Sequence, residues 1–310
     1  MEKVKTVTII TPTYNKFENI QDVLESVVNQ NYEDIEYIIC DDGSRDFPHD
    51  EIEKYVQNNK KENIKRFLII HNEKNLGTVK NLNNAISKST GDIIMFLSGD
   101  DVFFAKDVVS KIVERFNHNG CELLVTSRYC VDDKGNFQGY LPHVADRKKI
   151  CSWTSEQQHD RYLMAMYRNM ASGSVLCFKR SAFERMGGYD ERYILWEDGP
   201  FIHKYTRNHE ISCCYDIISI KYRVDGISGN PNSILLQDGV KYNELELKED
   251  IDNKNWFVKE CIRCRFERSS RSIIYLVFRY PLVLLMFFYE TLRTNLLTRI
   301  EIYSYRREEI

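Results

Sequence analysis

The sequence predicts an α/β fold: a mostly parallel sheet flanked by helices, followed by a helical C-terminal segment. Three observations predict it. Short apolar runs alternate with helix-period segments through residues 1–118. Strand, helix and strand within a few tens of residues imply a parallel sheet with right-handed crossovers. Each apolar run also ends in polar residues, "TPTYN", "CDDGS", "HNEKNLG" and "LSGDD". In open α/β sheets the carboxyl ends of the strands form the ligand edge.

The elements follow in order. "VTIITPTYN" starts as a strand buried on both faces, with Pro12 expected to end its pairing. In "NIQDVLESVVNQ", Ile20, Val23, Leu24, Val27 and Val28 recur at helical spacing. "IEYIIC" and "RFLIIH" are the next strands, and "TVKNLNNAISKS" puts Val79, Leu82, Ala85 and Ile86 on one helix face. "GDIIMFLSGDD" is a fourth strand, and "DVVSKIVERF" a helix with Val108, Val109, Ile112 and Phe116 inward. The middle region is less regular. "CELLVTSRYCVDDKGN" reads as a strand and a turn, and "ASGSVLCFKRSAFERMGGYDERY" as a strand and a short helix. Ser181 is expected to cap that helix and Gly187 and Gly188 to stop it. "WEDGPFIHKYTRNH" is a helix with an acidic start, and "YDIISIKYRV" a late strand.

A chain of 310 residues with 43% apolar residues has ample material for a core. Its net charge of -3 gives no sign of a nucleic-acid partner. The first residues run straight into a strand without a secretory leader, and nine irregularly spaced cysteines read as reduced thiols. Both point to the cytoplasm. Cys261 and Cys264 form one CxxC, without the second pair a zinc ribbon requires.

On residue types alone, Asp41 and Asp42 are ligands at the sheet edge or caps of a turn. Lys80 is a basic contact or a solvated face, and Glu197 and Asp198 are chemical groups or helix-start acids. The ordered set "TPTYN", "CDDGSRD", "NLGTVKNLNNAISKSTGDIIMFLSGDD" and "GGYDERYILWED" resembles the inverting family 2 glycosyltransferases over residues 5–228. The resemblance implies the Rossmann-like glycosyltransferase-A fold. It implies residues 1–118 as the nucleotide-sugar-binding half and 119–230 as the acceptor-binding and catalytic half of one domain, with a helical region over 231–310. Tyr14, with Pro12 on the same loop, would lie beside the base, and Asp42 would accept the N–H of a uracil. Lys80 would approach the nucleotide. Asp100 would hold Mn²⁺ or Mg²⁺ against the diphosphate, and Asp198 would be the general base. The family's Asp-any-Asp reads Ser98-Gly99-Asp100 here, and Asp225 stands where a histidine is frequent. Trp153 and Trp196 are candidates for stacking on sugar rings.

The expected activity is transfer of a sugar from a nucleotide-diphosphate donor, UDP foremost, to an acceptor hydroxyl with inversion. The acceptor would be a saccharide or lipid-linked saccharide, in surface polysaccharide or glycolipid assembly. A nucleotidyltransferase is a second reading, although "TPTYNKFEN" lacks the Gly-rich phosphate loop that it needs. A non-catalytic partner subunit is a third. The run "SIIYLVFRYPLVLLMFFY", residues 272–289, is about the length of a bilayer span, but Arg279 and Pro281 interrupt it. With basic residues flanking it, the expected arrangement is in-plane attachment to the inner face of the membrane, with Arg279 reaching the headgroups. Packing on the protein itself or on a second copy is the alternative.

Overall fold

The computed structural model describes residues 5–165, 170–224, 233–268 and 270–308. Its strands are β1 (Val7–Thr13), β2 (Ile35–Asp41), β3 (Ile64–His71), β4 (Ile93–Phe96), β5 (Val102–Phe103), β6 (Leu123–Val131), β7 (Phe137–Leu141), β8 (Leu176–Lys179) and β9 (Ser212–Arg223). They form one sheet in the order β3-β2-β1-β4-β8-β6-β9-β5, with β7 also beside β6. β1 to β4 pair in parallel, so their carboxyl ends share one edge. β8 is antiparallel to β4 and β6, and it joins the second half of the chain to the first within the same sheet.

The crossover helices explain the parallel half. They are α1 (Ile20–Val28), α2 (His49–Asn59), α3 (Thr78–Ser87) and α4 (Val108–Asn119). α1 buries Val23, Leu24, Val27 and Val28, and α4 buries Val108, Val109, Ile112, Val113 and Phe116. These are the apolar stripes read from the sequence, and burying each large aliphatic side chain contributes ~1.5–3 kcal/mol. β2 is buried at every position, as a strand covered on both faces should be.

Two local expectations are corrected. Pro12 does not end β1; it pairs with Cys40 on β2. The neighbour on the other side, β4, pairs only as far as Ile10, so the missing N–H disturbs no ladder there. The helix after β8 is α7 (Arg180–Arg185), and its N-cap is Lys179 rather than Ser181, which lies inside the first turn. Before it come α5 (Val144–Ile150) and α6 (Ser155–Leu163), and after it α8 (Asp198–Thr206).

The C-terminal region is helical, as expected. α9 (Ser233–Tyr242) passes through a π-helical turn, Asn243–Leu247, into the short α10 (Lys248–Asp250). Then come α11 (Trp256–Glu267), α12 (Ile273–Arg279) and α13 (Pro281–Glu308). Pro281 opens α13, a position that needs no N–H donor, and the chain bends by 107° between α12 and α13. No single helix among the described residues is long and apolar enough to cross a membrane, although this bent pair passes on length and composition. Arg279 is exposed, and its Nη1 donates to Glu260 Oε2 at 2.7 Å. The far half of α13 lies against β7. There Glu301 accepts the N–H groups of Tyr140 and Val144, each at 2.8 Å.

One buried carboxylate pins the opposite end of the parallel strands. Glu36 accepts from Thr8 Oγ1 at 2.5 Å and from the Thr90 N–H at 2.7 Å, and it pairs with Arg66. Glu36→Ala leaves these donors without an acceptor, so urea denaturation should show a loss of roughly 3–5 kcal/mol, the scale for breaking a buried ion pair. A loss below ~1 kcal/mol would place the anchor elsewhere.

Candidate active site

At the carboxyl end of β2 the two aspartates turn inward. Asp41 is fully buried and accepts from Ser44 N–H at 2.8 Å, Ser44 Oγ at 2.6 Å and Thr13 Oγ1 at 3.1 Å, and it contacts His71 Nδ1. It therefore ties together the loops after β1, β2 and β3, and is the structural member of the pair. Asp42 is also buried. It accepts from Leu76 N–H at 2.8 Å, Gly77 N–H at 2.9 Å and Asn72 Nδ2 at 3.2 Å. A carboxylate has about four lone-pair positions, so one remains for a further donor.

Gly77 starts α3 with φ 87°, and a Cβ there would lie 2.7 Å from Ile194 O. Only glycine allows this turn and this approach. Two residues on, Val79 N–H donates to the same Ile194 oxygen at 3.1 Å. The donor-side loop is thus bonded to the segment that leads into Glu197 and Asp198. Tyr14 is half exposed beside this edge, Pro12 is partly buried on the same loop, and Lys80 is exposed on α3.

At the end of β4, Asp100 is partly buried and Asp101 fully so. Asp101 accepts from Arg223 N–H at 3.1 Å, so it holds β9 rather than capping a helix. Burial, and then the charge of Asp100, push its carboxyl up to about 8. The Asp100 carboxylate makes no hydrogen bond to a described side chain. A partly open carboxylate without a hydrogen-bond partner among the described residues fits Mg²⁺ or Mn²⁺, which commonly take one or two carboxylates and complete their shell with phosphate and water.

Asp198 is the first residue of α8, where the helix dipole favours an anion. Its Oδ2 accepts Gly173 N–H at 2.7 Å. A Cβ on Gly173 would lie 2.5 Å from Glu197 Oε1, so glycine is what lets this backbone approach both carboxylates. Burial raises both pKa values, but the donors divide the pair. Asp198 has the N–H groups of Gly173 and Gly199, the Trp196 indole and the Arg128 charge drawing its pKa back down. Glu197 has little beyond its own backbone, and burial with the Asp198 charge pushes it up to about 8. The donors therefore favour the anion at Asp198 over Glu197.

Two groups in this region have no local sequence signal. Arg128 on β6 is buried between Asp101 and Asp198, and its guanidinium lies 4.7 Å from the Tyr222 ring centroid. Asp238 on α9 accepts from the N–H groups of Ile194 at 3.0 Å, Leu195 at 2.7 Å and Trp196 at 3.1 Å. Trp196 itself packs over Gly199 and against Tyr242 and so is part of the wall. Trp153 is buried. Asp225 lies outside the described residues.

With this geometry in place, comparison with known proteins decides the family. Residues 8–186 match the profile of glycosyl transferase family 2. The chain belongs to that family. It is 26% identical over 286 residues to the uncharacterized glycosyltransferase MJ1057 of Methanocaldococcus jannaschii, covering 91% of this chain and 88% of the relative. It is 27% identical over 194 residues to the poly-beta-1,6-N-acetyl-D-glucosamine synthase of Staphylococcus aureus, covering 63% of this chain and 44% of that enzyme. Its fold matches S. aureus TarS 1–349 in complex with UDP-GlcNAc, with a TM-score of 0.60 and 18% identity over 86% of this chain and 74% of TarS 1–349. The protein is a family 2 glycosyltransferase with the α/β architecture of that structure, and its C-terminal helices continue beyond the matched profile.

Asp238→Ala removes the acceptor of three backbone N–H groups next to the acid pair. Each buried group left unpaired costs about 1–3 kcal/mol. Hydrogen exchange of the peptide spanning 192–198 should speed up roughly tenfold or more. Unchanged exchange would mean that α9 does not hold this segment.

Proposed function

We propose that the protein transfers a sugar from a UDP-sugar to an acceptor hydroxyl with inversion, with Asp198 as general base. The observation that carries this reading is the divided acid pair. A sugar hydroxyl is a poor nucleophile until a base takes its proton in the transition state. Asp198 is fixed by Gly173 N–H at the start of a helix, where backbone donors favour its anion. As the acceptor oxygen bonds to the anomeric carbon, its proton passes to Asp198, and the bond from that carbon to the diphosphate oxygen breaks.

On the donor side, the remaining lone pair of Asp42 suits the single ring N–H of uracil. Tyr14 is placed to stack on the base, with Pro12 setting the loop, and exposed Lys80 to neutralise phosphate. Asp100 would hold Mg²⁺ or Mn²⁺, which when bound offsets charge on the departing diphosphate. The family's relatives in polysaccharide synthesis make a growing saccharide or a lipid-linked saccharide the acceptor class we favour.

The surface supports a place for this reaction on the cytoplasmic face of a membrane. Ile273, Ile274 and Phe278 on α12 are exposed, Phe278 by 83%, and Leu282, Leu285, Phe288 and Leu292 continue the apolar face along α13. A contiguous apolar face of this extent marks an interaction surface. Arg279 pairs with Glu260 and stays exposed beside this face, with further N–H donors available to headgroups.

Calorimetry should show UDP binding lost in Asp42→Ala and its enhancement by Mn²⁺ lost in Asp100→Ala. Parent-like binding of UDP and metal by both would remove these assignments. Asp198→Asn keeps its shape and should bind donor normally, with kcat lower by ~10²–10⁴-fold. In the parent, activity should fall toward acid with an apparent pKa above the ordinary carboxylate range, because burial raises Asp198 and only its ionised form accepts the proton. Near-parent turnover of Asp198→Asn would exclude it as the base. The parent chain should float with anionic liposomes, whereas Ile274→Asp/Phe278→Asp should not. If the parent stays in the soluble fraction and self-associates in sedimentation, this face joins two copies instead.

A further inference from the structure

Away from the donor edge, three residues distant in sequence converge in the interior. His159 on α6 and His203 on α8 are buried, and Asp250 on α10 is largely so. One ligand-type atom from each lies within 4.8 Å of the other two. We infer that His159, His203 and Asp250 form a binding site for a divalent ion of the zinc type, which joins the C-terminal helical region to the helix bearing Asp198.

The inference rests on where the protons are. The Thr206 hydroxyl donates to Ile202 O at 2.8 Å, so its oxygen is the acceptor for His159 Nδ1–H at 2.9 Å. In a neutral imidazole this leaves a lone pair on Nε2. That Nε2 is buried, makes no hydrogen bond, and faces Asp250 Oδ2 at 3.5 Å. Arg207 Nε and Nη2 reach Asp250 Oδ2 at 3.3 Å, so the atom left unpaired is His159 Nε2, whose bonding a cation would complete. Around a tetrahedral zinc ion, with bonds of about 2.0–2.1 Å, ligand atoms lie about 3.3 Å apart; the His159–Asp250 pair matches this, whereas His203 Nε2 is in direct contact with Asp250 Oδ2 and its ring would move outward to admit the ion.

His203 completes the set. Its Nε2 meets the same Asp250 oxygen, while its Nδ1 contacts the buried Tyr242 hydroxyl. Each ring is thus oriented through its far nitrogen by an oxygen, the usual outer support of a metal-bound histidine. Arg207 binds both Asp250 oxygens, Oδ1 at 3.2 Å and Oδ2 at 3.3 Å, and Glu246 and Glu249 beside it supply two more negative charges to balance an added cation. Two imidazoles and a carboxylate suit zinc, with water as fourth ligand.

The test uses the full chain, expressed without a histidine tag and dialysed against chelator-free buffer. Elemental analysis should find about one zinc per chain. That content should persist in Asp100→Ala, because the donor-side cation is a separate site, and fall to background in His159→Gln and Asp250→Asn. Cobalt exchanged into the parent should give the intense visible bands of a tetrahedral ion, and dipicolinate should erase them and lower Tm. If either variant fails to fold, the cobalt spectrum of the parent decides alone. A parent chain that takes up neither zinc nor cobalt at micromolar free ion, and whose Tm ignores dipicolinate, overturns the inference.

Discussion

The hydrogen bonds from Leu76 and Gly77 to the Asp42 carboxylate are the contact on which the rest of the site depends. They fix where α3 begins. From there Val79 bonds to Ile194, and the N–H groups of Ile194, Leu195 and Trp196 converge on Asp238. The next two residues are Glu197 and Asp198. A continuous set of backbone bonds thus runs from the nucleotide edge of the sheet to the acid pair, closed from outside by α9. The proposed in-line displacement would require donor and base to be held within a fraction of an ångström, and bonds to backbone hold more tightly than contacts between mobile side chains.

The same arrangement explains why two adjacent carboxyl groups differ. Both are drawn up by burial, so position alone does not separate them. The separation comes from donors. The Gly173 and Gly199 N–H groups, the Trp196 indole and Arg128 all favour the anion at Asp198, and each depends on close packing. Gly173 admits the backbone to the pair, and Gly199 makes room for the Trp196 ring. The α9–α11 region is part of this site. Asp238, Tyr242 and Asp250 each touch residues in or beside α8, so those helices act as a brace on the catalytic edge.

The parallel half was legible because its signals are local. Apolar runs ending in "CDDGS" and "LSGDD" give both the strand and its ligand edge, and the helical stripes of α1, α3 and α4 are the buried faces observed. The short motifs around Asp42 and Asp198 are local too, and the structure puts them at the end of β2 and the start of α8. Residues whose role depends on distant partners were not. Nothing near Asp238 in "SILLQDGVKY" indicates three backbone donors from residues 194–196, and nothing in "VTSRYC" indicates that Arg128 lies between two acids. The pairing of Arg279 with Glu260 was not legible because Glu260 is on another helix. Pro12 was misread because the consequence of a missing N–H depends on how far the neighbouring strand extends.

The most direct test of the relay is residue-resolved hydrogen exchange in Asp42→Asn, measured without nucleotide. Faster exchange at Leu76 and Gly77 is the local consequence. The relay predicts that Val79, Leu195 and Trp196 also exchange faster, while the β6 amides stay at parent rates. Acceleration confined to residues 76 and 77 would contradict it, and would mean that the donor edge and the acid pair are positioned independently.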